Sequence, residues 1–178
     1  MRIIFILFIV LPFQLFADGR HLPYYKSLSQ EESWLRHYPD IQDLKNYTEK
    51  FLLSQKRMPV KVIEEYTSPG SKYIDWYRIE LFNGIQGWMY HSQLSRSRTL
   101  LVKEDTEMYA WSSMDPDAWL TIQKGLIQAP KIVKLLAIEG SMAKISISTG
   151  KKSEEKGWIA LDERVWGAEK DERLEHED

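Results

Sequence analysis

The 178-residue chain contains no cysteine. That absence removes disulfides as a source of stability, a thiol nucleophile as a route to catalysis, and a site for an attached lipid near the amino end. A papain-like peptidase is therefore excluded outright. Surplus positive charge is also missing: 24 Lys and Arg face 26 Asp and Glu. Nucleic-acid binders need clustered positive charge to neutralise phosphates, so that partner class is set aside. Histidine is scarce. His21, His37, His91 and His176 include no close pair at metal-ligand spacing, and zinc needs three or four convergent ligands. No Gly-x-Ser-x-Gly turn offers a serine nucleophile. The reading is of a protein without metal, cofactor or catalytic residues.

The first 17 residues place Arg2 ahead of an apolar run from Ile3 to Phe13 and end on the small residue Ala17. A basic start, an apolar run short for a bilayer and a small residue at the cut are the parts of a secretory signal. Export and cleavage after Ala17 are expected, with no stable membrane insertion afterwards and a location in the periplasm or cell envelope. The other reading is a retained anchor, because Leu15 suits a cleavage site poorly. Without disulfides the exported part must rest on an apolar core, for which seven Trp and nine Tyr supply bulk.

Beyond the signal the pattern is that of short strands. Pro59-Val60-Lys61-Val62-Ile63-Glu64-Glu65-Tyr66 alternates apolar with charged residues, as does Trp76-Tyr77-Arg78-Ile79-Glu80-Leu81. Asn83-Gly84 signals a hairpin, and Gly87-Trp88-Met89-Tyr90 reads as a strand whose glycine lets another backbone approach. Later candidates are Thr99-Leu100-Leu101-Val102, Trp119-Leu120-Thr121-Ile122, residues 131–138, and Met142-Ala143-Lys144-Ile145-Ser146-Ile147. Within 39–56, Ile41, Leu44, Thr48 and Phe51 recur at three and four residues, which predicts a short helix. A loop leading to a strand at Phe51-Leu52-Leu53 is the other reading of that stretch. Residues 168–178 form a charged tail expected to be disordered.

The most informative feature is an internal repeat. Trp76-Tyr77-Arg78-Ile79 precedes Gly87-Trp88-Met89, and Met142-Ala143-Lys144-Ile145 precedes Gly157-Trp158-Ile159, with about four extra residues in the second hairpin. Trp88 and Trp158 are expected to fill the core of each copy. The fold class read from this is all-β, with one module over 22–97 and another over 98–167.

These residues resemble the bacterial SH3-like family, in particular an exported two-module subgroup typical of alphaproteobacteria. The matching stretches are Leu22-Pro23-Tyr24-Tyr25-Lys26-Ser27-Leu28, Met58-Pro59-Val60-Lys61-Val62-Ile63, Trp76-Tyr77-Arg78-Ile79, Gly87-Trp88-Met89-Tyr90-His91-Ser92-Gln93-Leu94 and Val165-Trp166-Gly167. The likeness runs from about residue 22 to residue 167 and implies two tandem SH3-like small barrels. Departures occur where Ser33-Trp34-Leu35-Arg36-His37-Tyr38-Pro39 replaces the family's Asn-Val-Arg strand and Gly-Pro-Gly turn, and where Met142-Ala143 replaces a Trp-Cys pair.

Aromatics carry the only positive functional signal. Trp34, Tyr38, Tyr90, Trp111 and Trp119 lie near loops or strand ends and are the candidate ligand-binding residues, because flat rings give large contact area at low entropic cost. Closure of a barrel or packing between modules is the competing role for each of them. The resemblance implies a non-catalytic binding module of the cell envelope, recognising cell-wall peptide or an envelope protein. A structural or assembly factor packing against a partner subunit is the alternative, and an enzyme using paired carboxylates is the third reading. Asp115, Asp117, Glu64 and Glu65 are better read as turn or solvent-face residues than as such a pair.

Overall fold

Strand-forming alternation is realised throughout the computed structural model, which describes residues 21–31, 33–40, 42, 47–51, 57–110, 123–148 and 153–169. The expected signal, Trp111, Trp119, the strand expected at 119–122 and the tail beyond residue 169 lie outside the described residues. The first seven strands are β1 (Tyr24–Leu28), β2 (Ser33–Arg36), β3 (Tyr47–Phe51), β4 (Pro59–Tyr66), β5 (Trp76–Glu80), β6 (Gln86–Tyr90) and β7 (Leu94–Ser95). The next seven are β8 (Thr99–Val102), β9 (Thr106–Tyr109), β10 (Gln123–Ile127), β11 (Lys131–Glu139), β12 (Met142–Ser148), β13 (Glu154–Ala160) and β14 (Val165–Trp166). The protein is all-β. A 3-10 turn at His91–Gln93 is the sole helical element among the described residues. The helix expected within 39–56 is corrected by β3, which pairs antiparallel with β2. Tyr47, Thr48 and Phe51 are aromatic or β-branched and suit a pleated edge. A spacing of three or four over so few residues does not decide between the two structures.

The strands form two antiparallel sheets. Their orders are β3-β2-β6-β5-β4-β1-β7 and β10-β9-β13-β12-β11-β8-β14. Subtracting seven from each number of the second order gives the first, so the two halves share one connectivity. Register agrees as well: Ile79 faces Gly87 and Arg78 faces Trp88, while Ile145 faces Gly157 and Lys144 faces Trp158. A bulge interrupts β4 between Val62 and Glu64, and another interrupts β11 between Leu135 and Ala137, at the matching step. The four extra residues of the second hairpin lengthen its strands, since pairing continues from Ile145–Gly157 out to Ser148–Glu154. Among the described residues each sheet stays open, ending on β3 and β7 or on β10 and β14.

The glycine of each Gly-Trp pair has a steric cause. A Cβ on Gly87 would lie 2.9 Å from Leu35 Cβ and 3.2 Å from the Arg36 carbonyl oxygen. On Gly157 it would lie 2.4 Å from Met108 Cγ and 3.1 Å from the Tyr109 oxygen. At Gly87 the neighbouring strand itself crowds an added Cβ, and at Gly157 the Met108 side chain would have to shift to admit one. Gly87→Ala is expected to cost about 1–3 kcal/mol through overpacking, read as a lower thermal midpoint. An unchanged midpoint would contradict the close approach.

Each half buries its own core. Leu28, Leu35, Val60, Val62, Ile79 and Met89 fill the first, and Leu100, Val102, Val133, Ile145 and Ile159 belong to the second. Strand β8 links them, because all four of its residues are buried. Alternation turns Leu100 and Val102 into the second core and sends Leu101 into the first. Ile132 and Trp166 follow Leu101 against that first core, and Tyr25 meets Trp166 edge-on at 5.6 Å. At the junction the buried Ser27 and Thr99 hydroxyls lie 2.7 Å apart, and Thr99 Oγ1 donates to the Arg57 carbonyl at 2.5 Å. No orphaned hydroxyl is left at that seam.

Candidate functional site

In a strand, neighbouring side chains point to opposite faces, so the inward residues determine which ones lie outside. Met89 and Ile79 face the first core. Trp88, Tyr90, Trp76 and Arg78 therefore share the outer face of β5 and β6. Leu35 is inward on β2, which places Trp34 and Arg36 on the same outer face, and Arg36 pairs directly with Trp88. Tyr66 joins them from β4, opposite Trp76.

The rings on this face touch. Tyr66 meets Trp88 at 6.1 Å and 77°, and Trp76 meets Tyr90 at 5.1 Å and 68°. Both are edge-on geometries worth about 0.5–1.5 kcal/mol beyond area burial. The Arg36 guanidinium lies 5.6 Å from the Trp76 ring centroid, and its Nη1 donates to the Asp40 carbonyl at 2.7 Å. Trp76 is covered by these neighbours and is 3% exposed, whereas Trp34 and Tyr66 are each 37% exposed. Trp88 and Tyr90 are half-buried.

Trp88 corrects the sequence expectation. It does not fill the core; Met89 does, and Trp88 stands on the outer face. Trp158 holds the matching position on β13 and is buried, with Lys144 Nζ 5.6 Å from its ring, but it too lies opposite the inward Ile159. The two Gly-Trp tryptophans therefore belong to separate sheets and to neither core cluster.

Matching positions allow the two outer faces to be compared one by one. Where the first half has Trp34, Arg36 and Tyr66, the second has Glu107, Tyr109 and Glu139. Trp76 and Tyr90 are matched by Met142 and Ala160, and Glu64 by Ala137. At these matched positions, among the described residues, the first face is richer in rings. On the second face the Tyr109 hydroxyl donates to Glu107. That hydrogen bond, followed by partial burial and the nearby charge, raises the Tyr109 pKa above its ordinary value.

Exposed large apolar side chains divide in the same way. Leu22, Trp34, Tyr38, Tyr66, Tyr73, Phe82 and Ile85 belong to the first half, and Leu126 alone to the second, among the described residues. Of the five expected ligand-binding residues, Trp34 and Tyr90 come together on the β2-β6-β5 face. Tyr38 sits 45% exposed in the bend that follows β2. Sequence reading missed Tyr66, Trp88 and the flanking arginines. Cross-strand register is what unites them, and it is not visible before the strands are paired. His91 packs against Tyr90 with ring centroids 4.4 Å apart, at the end of the same face.

The loop between β4 and β5 borders the aromatic face and is tied down by Asp75. Its Oδ2 accepts the Ser68 amide at 2.9 Å, its Oδ1 accepts the Ser71 hydroxyl at 3.1 Å, and its carbonyl accepts the His91 amide at 2.8 Å. The Ser68 amide above all, with help from the Ser68 and Ser71 hydroxyls, holds the Asp75 carboxyl below its ordinary pKa. A depressed folded value means that this contribution is present above about pH 3.9, the unfolded value, and fades as pH falls through the folded one. Protection of the Ser68 amide against hydrogen exchange, corrected for intrinsic rates, should therefore collapse in acid and be weak at all pH in Asp75→Asn. Protection indifferent to pH would contradict this role.

Among the described residues no group of three or more His, Asp or Glu is arranged to hold a metal ion. No helix there is long and apolar enough to cross a membrane. No protein-family model matches the chain, and no curated protein matches it either.

Proposed function

We propose that the protein is a non-catalytic binding module of the cell envelope, made of two tandem SH3-like modules, which engages cell-wall peptide through the outer β2-β6-β5 face of its first half. The observation that carries this reading is the divergence of two equivalent faces on one fold. Duplication alone would leave both faces alike, whereas at the matched positions, among the described residues, the first keeps Trp34, Tyr66, Trp88 and Tyr90 within reach of solvent or partly so. Exposed rings grouped on one face mark interaction surfaces in soluble proteins. The basic, apolar start of the chain supports export, and the matching strand orders support the two-module description. The step from fold to role is an analogy with the SH3-like resemblance.

Sedimentation with isolated peptidoglycan sacculi tests the proposal. The mature chain should pellet with the sacculi. An assembly factor that packs against a partner subunit should stay in the supernatant, and that result would replace the present reading with it.

A further inference from the structure

The outer face of the first half has a charged side as well as an aromatic one. Across β4, β5, β6 and β2 the paired residues of one row are Glu64, Arg78, Trp88 and Arg36. A half-buried indole thus stands between two arginines on its neighbouring strands. We propose that this row recognises a carboxylate on the bound peptide, with Arg78 as its chief partner and Trp88 as the platform for the adjacent apolar part. This inference rests on the cell-wall reading above and names the chemistry that the face selects.

Three observations point to a carboxylate. Arg78 is held by partners that an incoming anion can displace: Glu64 at 3.3 Å and Gln86 Oε1 at 3.2 Å, with side chains of Arg78 and Glu64 44% and 51% exposed. Exposed ion pairs of this kind contribute at most about 1 kcal/mol. A guanidinium presents a planar fork of donors matched to a carboxylate, so a well-seated ligand anion outcompetes them. The second observation comes from the next row of the same face. There Glu169 already occupies such a place, with its Oε1 3.0 Å from Lys61 Nζ and 3.3 Å from the Tyr25 hydroxyl. Tyr25, Lys61 and Glu80 are cross-strand partners in that row. The third is the matching face of the other half, where Glu107 accepts from Tyr109, the residue at the Arg36 position. Carboxylates from the chain itself thus sit against basic or phenolic side chains on this kind of face, and in the Arg78–Trp88–Arg36 row Glu64 holds the place that a ligand carboxylate would take.

Bulk electrostatics works against a trivial explanation. The chain carries a formal charge of −2, so amidating the carboxylates of a cell-wall preparation should favour non-specific adsorption. The test compares native sacculi with sacculi whose peptide carboxylates have been amidated with carbodiimide and ammonium. Binding to the amidated material should fall about tenfold or more, the range expected on losing a hydrogen-bonded charge pair. Arg78→Gln should weaken binding to native sacculi and erase the difference between the two preparations. Glu64→Gln, which releases Arg78 from its own partner, should bind native sacculi more tightly than wild type. Circular dichroism checks that both exposed-site variants fold. Equal binding of the wild type to native and amidated sacculi, or an Arg78→Gln variant that keeps the preference, overturns the carboxylate site while leaving the aromatic face intact. Binding to neither preparation overturns the cell-wall reading itself and this inference with it.

Discussion

Leu101→Ala is expected to destabilise both halves of the protein together, by about 2–4 kcal/mol. Leu101 is 4% exposed and belongs by sequence to the second sheet, but its side chain completes the first core beside Val60, Val62 and Met89. Removing it leaves a cavity among residues that relax only in part, and truncations of this kind in cores cost that much. Typical domains have only about 5–15 kcal/mol in reserve, so the loss is a large share of stability. The backbone of β8 meanwhile carries Leu100 and Val102 into the second core, so a shift of this strand is felt on both sides. Native-state hydrogen exchange reads each half separately, for instance at the amides of Val60 and Ile145. Parallel loss of protection at both fits a shared seam. Loss confined to one half would mean that the halves fold as independent units and that the contact through Leu101 is incidental. Leu101→Asp goes further: it places an unpaired carboxylate in the same apolar site, a burial that costs several kcal/mol more, and loss of the folded state is the expected outcome.

The second large effect separates the two Gly-Trp tryptophans. Trp88→Ala should cost only about 1–2 kcal/mol of stability, for a half-buried ring and its contact with Tyr66. It should abolish sedimentation with sacculi, because truncating a ring at the centre of a binding face costs about 2–4 kcal/mol of affinity. That is a loss of roughly 30-fold to 1000-fold. Trp158→Ala should do the reverse. Its ring is 5% exposed beneath Lys144, so its removal is expected to cost about 3–5 kcal/mol of stability while leaving the affinity of the folded protein unchanged. Matching positions of the two halves are thus expected to respond in opposite ways. If the two substitutions proved alike in both assays, the divergence of the faces would have no functional meaning.

Much of the fold was readable before any strand was paired. The bounds of β4 and β8 coincide with runs read from alternation and β-branched content, and Asn83-Gly84 marked a real turn, with Gly84 at φ +81°. Order and spacing also revealed the duplication, because Ile and Gly-Trp recur wherever the strand crossing demands them. Two kinds of error have physical causes. The expected helix within 39–56 rests on three apolar positions and Thr48, too few to separate a helical stripe from an edge strand whose register is set by β2. The matched Gly-Trp strands suggest that Trp88 fills a core, although alternation from Gly87, which faces inward against Leu35, sends Trp88 outward and Met89 inward. The proposed binding face is only half legible in the sequence. Trp34 and Tyr90 were found as aromatics near strand ends, but Arg36, Tyr66 and Arg78 come from three different strands, and nothing in their local sequence marks them as neighbours of Trp88.

The most direct test of the first-half face is chemical-shift mapping by NMR with stem-peptide fragments released from sacculi. The account predicts perturbed indole signals for Trp34 and Trp88, and perturbed amides along β2, β5 and β6, with the Trp158 indole and the outer face of β9, β12 and β13 unmoved. Perturbations centred on Trp158, or spread equally over both halves, would contradict it.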